Sequence, residues 1–149
     1  MSKEKDLYQV SLKAVIKNNN GEILLLKALL NGSHAGYYDL PGGRIDKDEF
    51  TIPLTDILKR EISEEVGNID VVIKPTPVAV ARHCIPGSMT KTGKDIHVLY
   101  ILFEVEYKGG KIVISNEHTD FKWADFSKEN PENLLSSGNL EGIKMYLAK

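Results

Sequence analysis

The stretch IHVLYILFEVEY, residues 96–107, constrains the fold more than any other. It is rich in β-branched and aromatic side chains and lacks glycine and proline, so it predicts one long strand. A strand of that length needs partners, and the sequence supplies several. VSLKAVIKN (10–18) and EILLLKALL (22–30) read as two strands joined by the Asn-Asn-Gly turn at 19–21. YYDLPGGRI (37–45) reads as a short strand broken by Pro41-Gly42-Gly43, where paired glycines let a ligand approach the main chain. Further strand patterns fall at 69–73, 78–81, 111–115 and 121–126. One helix is expected from Pro53 or Thr55 to Val66, because Leu54, Ile57, Leu58, Ile62 and Val66 recur at helical spacing. Pro53 suits its first turn and Gly67 its C-terminal cap. A closing helix is expected over 139–147, with Leu140, Ile143 and Leu147 on one side. Strands dominate and the two helices stand apart. The expected class is therefore α/β, a mixed sheet covered by helices.

No repeat, low-complexity tract or linker divides the chain, so its 149 residues are expected to form a single domain, 1–149. Nineteen basic and 21 acidic residues leave a net charge of −2, which gives no bulk attraction to nucleic acid or to anionic membrane. A phosphate-bearing ligand must then be held by a local site. Cys84 is the only cysteine, which excludes an intramolecular disulfide, fits a reducing cytosol and reads as a small buried residue. The start, MSKEKDLYQV, lacks the apolar core of a signal peptide, and no segment reaches the ~20 apolar residues of a membrane span. The expectation is a soluble, cytoplasmic protein.

The first helix ends in LKREISEEVG (58–67). Each helical residue turns by ~100°, so Glu61, Glu64 and Glu65 share one arc. Glu61 and Glu65 are like-charged i,i+4 neighbours in the last two turns, where the helix dipole also disfavours negative charge. A solvated face is one explanation, since Asp56 and Glu64 each lie four residues from Arg60. A divalent cation is the other: clustered carboxylate oxygens suit Mg²⁺ or Mn²⁺.

The wider stretch, GGRIDKDEFTIPLTDILKREISEEVG (42–67), resembles the signature of the Nudix hydrolases. That pattern runs G-x5-E, seven residues, then R-E-U-x-E-E-x-G-U, with U a bulky aliphatic. Gly43 and Glu49 match its first part; Arg60, Glu61, Ile62, Glu64, Glu65 and Gly67 match its second. Two departures stand out. Ten residues, Phe50 to Lys59, separate Glu49 from Arg60, and Asn68 occupies the final aliphatic slot. The extra residues are expected in Phe50–Pro53, ahead of the helix, where insertion is cheap.

The resemblance implies the Nudix α/β/α sandwich and a set of roles. Glu61, Glu64 and Glu65, with the Gly42 carbonyl, would bind Mg²⁺, with Mn²⁺ as the alternative ion. Glu61 is also a candidate general base. Arg60 and Glu49 would form an orienting pair, and Glu117 in the late loop ISNEHTDF is a further candidate base or ligand. The implied reaction is hydrolysis of a nucleoside diphosphate linked to another moiety. The short layout looks most like the (deoxy)nucleoside triphosphate pyrophosphohydrolases. ADP-ribose or nucleotide-sugar pyrophosphatases are the alternative, and a non-catalytic nucleotide-binding regulatory domain the second. A small-molecule nucleotide is the implied partner. Family members often form homodimers, so a homodimer is the assembly that the resemblance suggests.

Outside the signature, Arg44 is a candidate phosphate contact or a plain surface residue. Arg82 stands beside His83 near the expected pocket mouth, as a substrate contact or a structural pair. Tyr37 and Tyr38 precede the Leu-Pro-Gly-Gly entry; Tyr38 is a candidate to stack on a base, with core packing as the competing reading. Trp123 reads as core.

Overall fold

The computed structural model describes residues 3–148. Its centre is the long strand read first, β7 (Ile96–Gly109). Strand β1 (Tyr8–Lys17) runs parallel to it, from Tyr8 opposite His97 to Lys17 opposite Glu106. The other edge of β7 is divided between two antiparallel strands. β6 (Ala79–Ile85) pairs with its first half and β5 (Asp70–Ile73) with its second. On the far side of β1 lie β4 (Gly42–Arg44), opposite Ser11 to Lys13, and β2 (Ile23–Ala28). β2 also pairs with β3 (Tyr38–Asp39) and β8 (His118–Ala124). The expected β1–β2 hairpin forms at its turn, where Lys17 meets Ile23, and then the two strands take different partners.

Helices cover both faces of this mixed sheet. Alternation along β1 sends Leu12, Ala14 and Ile16 toward α1 (Leu54–Val66) and Val15 toward α2 (Ser137–Leu147). Ile57, Leu58, Ile62 and Val66 seat α1 on the first face, each buried side chain of this kind contributing about 1.5–3 kcal/mol. Gly67, with φ of 90°, ends the helix and returns its N–H to the Ser63 carbonyl. No helix among the described residues is long and apolar enough to cross a membrane.

Three expectations are corrected. KIVIS (111–115) is not a strand: it leaves the sheet after Gly109 and Gly110, both at positive φ, while β5 still occupies the edge of β7. It caps α1 instead, Val113 N–H donating to the Val66 carbonyl and Ser115 N–H to the Glu65 carbonyl, both at 3.0 Å. The buried face of α2 is Asn139, Gly142, Ile143 and Tyr146, and Leu147 is exposed. The close seat explains this: a Cβ at Gly142 would meet the Leu102 side chain at 2.8 Å. Cys84, read as buried, is exposed, because β6 turns Ala79, Ala81 and His83 inward and the residues between them outward.

Candidate active site

The acidic end of α1 lies against β4. Glu65 is almost fully buried, and its Oε2 accepts the Gly42 N–H at 3.2 Å. Glu61 backs onto Gly43, where an added Cβ would fall 2.5 to 2.8 Å from its carboxylate. Two carboxylates are thus drawn out of water beside a main chain that nothing larger than glycine would allow so close. Burial pushes the Glu65 carboxyl up to about 7, against the opposing pull of Lys13 and the Gly42 N–H. Burial also raises Glu61, with Arg60 opposing and Glu64 adding to the shift. In both, burial outweighs the positive charge nearby.

Glu64 differs from this pair in its exposure. It is exposed, and both of its oxygens accept from Arg60 Nη1, at 3.0 and 3.1 Å. Arg60 Nη2 meets Glu49 Oε2 at 2.6 Å and Glu61 Oε1 at 3.3 Å. Glu49 reaches this position from a short 3-10 turn, Lys47–Glu49, where its Oε1 accepts the Asp46 N–H at 2.9 Å. That N–H, and then Arg60, hold the Glu49 carboxyl below its usual value. The longer spacer therefore does not separate Glu49 from Arg60. Its extra residues lie at the surface ahead of α1, with Phe50 93% exposed. Among the described residues no three carboxylate, imidazole or thiol groups are already gathered as a metal cluster, and the Glu64 carboxylate is engaged by Arg60.

A cavity of about 380 Å³ opens beside Glu65. Its walls include Asp39, Arg44, His34, Glu117 and His118. The loop bearing Glu117 is secured at Ser115, whose N–H binds the Glu65 carbonyl. Arg44 stands exposed at the cavity wall, donating to Gln9 Oε1 at 2.8 Å. Two sequence candidates lie elsewhere. Tyr38 packs against the core on the α2 side, with Lys27 over its ring. Arg82 points outward from β6 into a cleft with Tyr8 and Glu141, while its neighbour His83 turns inward against His34. Trp123 packs on Tyr107 beside the α1 core, as its core reading required.

Beneath the cavity is a polar network absent from the sequence reading. Lys13 Nζ donates to Asp39 Oδ1 at 3.0 Å and to the Leu40 carbonyl at 3.2 Å. Asn139 Nδ2 donates to Asp39 Oδ1 at 2.8 Å, and His118 Nε2 lies 3.4 Å from Oδ2. Burial alone would raise the Asp39 carboxyl, but Lys13 and its other donors hold it well below the usual carboxylate range. Burial likewise opposes the charge on Lys13, and Asp39 outweighs it and raises Lys13. His34 and His83 stack at 4.3 Å. His83 bonds Ser137 and Ser33, and burial, then His34, lowers it to about 4. Lys13 carried a readable signal, as a lysine inside an apolar strand. Asn139 and His118 carried none, because their partners are remote in sequence.

A family model described as the NUDIX domain matches residues 7–141. The nucleoside triphosphatase NudI of Escherichia fergusonii is 28% identical over 110 residues, 73% of this chain and 76% of that protein. The MutT protein from Methanosarcina mazei Go1 is 32% identical, with a TM-score of 0.63 over 81% of this chain and 79% of its own. A NUDIX hydrolase from Nitrosomonas europaea, 19% identical, shares the fold with a TM-score of 0.70 over 97% of this chain and 73% of its own.

Proposed function

The chain belongs to the Nudix family and is a hydrolase acting on pyrophosphate bonds, and from that premise we propose that it is a divalent-metal-dependent (deoxy)nucleoside triphosphate pyrophosphohydrolase formed as a single domain. The observation that carries this reading is the pair of carboxylates, the buried Glu65 and the half-buried Glu61, set against Gly42 and Gly43. The relatedness to a nucleoside triphosphatase supports the choice of substrate.

Nudix hydrolases generally need divalent metal ions, and the donors here fit one. They are oxygens only, and two of the carboxyls, Glu65 and the half-buried Glu61, are raised by burial, a shift that an added cation would oppose. Glu65 and Glu61, with the Gly42 carbonyl, would hold Mg²⁺, and Mn²⁺ is the natural substitute. Glu64, now paired with Arg60, would be the third carboxylate of the set. When bound, the ion neutralises phosphate oxygens and activates water. The residues of this chain do the remainder. Arg60 fixes Glu49 and Glu61 and so sets the carboxylate register. Arg44 offers a guanidinium to phosphate at the cavity wall. Glu61 or Glu117 accepts the proton of the attacking water. A cytoplasmic setting fits a chain with a single, unpaired cysteine.

The test is a panel of (d)NTPs, ADP-ribose, nucleotide sugars and dinucleoside polyphosphates with Mg²⁺ or Mn²⁺, with products identified chromatographically. Metal-dependent turnover is expected, falling at least about 100-fold in Glu65→Gln. A wild-type rate in Glu65→Gln, or no turnover of any substrate, overturns the proposal.

A further inference from the structure

Lys13 is a charged residue inside the apolar run LKAVI, 12–16, and it is 5% exposed. Its ammonium meets Asp39 Oδ1 at 3.0 Å, with both side chains largely withdrawn from water. Stability does not account for such a pair. Replacing a buried ion pair by neutral groups of similar volume is often harmless, whereas removing one partner alone is costly. The pair calls for something that it holds in place.

What it holds is the approach to the two glycines. In the register of β1 with β4, Lys13 lies opposite Gly42. Its Nζ also donates to the Leu40 carbonyl at 3.2 Å, and the next carbonyl, of Pro41, accepts the Ala14 N–H at 2.8 Å. Gly42 then donates its N–H to Glu65 Oε2 at 3.2 Å. The main chain is therefore anchored at three successive residues, and the first anchor is the Lys13 side chain. Asp39 secures the other end of this strut. It accepts Asn139 Nδ2 of α2 at 2.8 Å, and His118 Nε2 of β8 lies 3.4 Å from its second oxygen. Gly42, at φ 142°, has no Cβ to limit its backbone, so its direction must come from its neighbours.

We propose that Lys13 is a positioning residue for the reaction: through the Leu40 carbonyl and Asp39, it holds the main chain at Gly42 in the direction from which it meets the divalent metal. The inference rests on the metal-site reading above and gives Lys13 a role without contact to ion or substrate. The Lys13–Asp39 pair brings one charge of each sign and so adds no net charge beside Glu65. Its contribution is geometry. Groups that orient the ligands of a metal set its affinity although they never touch it.

The test combines Lys13→Met with Asp39→Asn, which leaves the net charge of the site unchanged. Lys13→Met alone strands Asp39 and is expected to lower the thermal midpoint by about 10 °C, most of which the second substitution restores. Mn²⁺ affinity, read from the paramagnetic resonance of the free ion, is expected to stay at least about tenfold weaker in the double variant than in wild type. Affinity that returns to the wild-type value with the stability overturns the proposal. Glu65→Gln, measured alongside, separates the two readings. Unchanged Mn²⁺ binding in Glu65→Gln sinks the metal site, whereas binding lost there and kept in the double variant sinks the strut alone. Should the double variant not fold, Asp39→Asn decides by hydrogen exchange. Exchange at the Gly42 amide is expected to quicken at least about tenfold with the β7 amides unchanged. Equal quickening at both places, or none at Gly42, overturns the positioning role.

Discussion

Gly42 and Gly43 are neighbours with different duties, and their substitution by alanine separates folding from chemistry. Gly42 has φ of 142°, and a Cβ there would fall 1.9 Å from the Leu12 carbonyl oxygen in β1. Backbone cannot yield as a side-chain tip can, so Gly42→Ala is expected to cost about 2 kcal/mol or more. The clash at Gly43 is with the Glu61 carboxylate, the end of a flexible side chain. Gly43→Ala should keep most of its stability yet lose at least about tenfold in turnover as Glu61 is displaced. Thermal unfolding and kinetics on both variants check this; a shared loss of stability, or full activity in Gly43→Ala, refutes it. The glycine pair and the glutamates were legible in the sequence because their spacing is local. Asp39, Lys13 and Asn139 were not read as one group, since the bonds joining them span 26 and 100 residues.

The unit of α1 and its preceding 3-10 turn depends on a single guanidinium shared by Glu49, Glu61 and Glu64. A lysine keeps the charge but cannot present a planar fork to several carboxylates. Arg60→Lys is therefore expected to lower kcat at least about tenfold while shifting stability by less than about 1 kcal/mol, because the partly exposed ion pairs contribute little to folding. Steady-state kinetics with a urea titration decide the point, and an unchanged kcat counts against the brace. Most elements were legible from periodicity and turn residues, α1 to within a residue or two. KIVIS was misread because its alternating apolar residues describe a strand equally well, and only the course of the chain after Gly109 sends them to α1. The partners of β2 were hidden for a similar reason: its turn shows where β1 begins to pair with it, not where the pairing stops.

For the molecule as a whole, His83 ties the start of α2, through Ser137, to the 31–36 loop, through Ser33. Its pKa is lowered from 6.5 to about 4 by burial, so folding favours the neutral ring. The stabilisation is full above about pH 6.5 and is lost progressively as pH falls toward 4. His34, lowered in the same direction by burial, adds to the loss. Urea midpoints measured from pH 7 to 4 should fall less steeply in His83→Gln than in wild type; equal slopes would show that His83 does not contribute. The class of fold was legible because strands dominate and the helices are set apart, while strand order was not, since it depends on which distant edges meet. The parallel pairing of β1 with β7 sets a timetable for assembly. Tyr8 to Lys17 must wait for residues 97 to 106, about three fifths of the chain later. Contacts of such range slow folding, and a nascent chain leaving the ribosome carries β1 without its central neighbour until most of its length has been made.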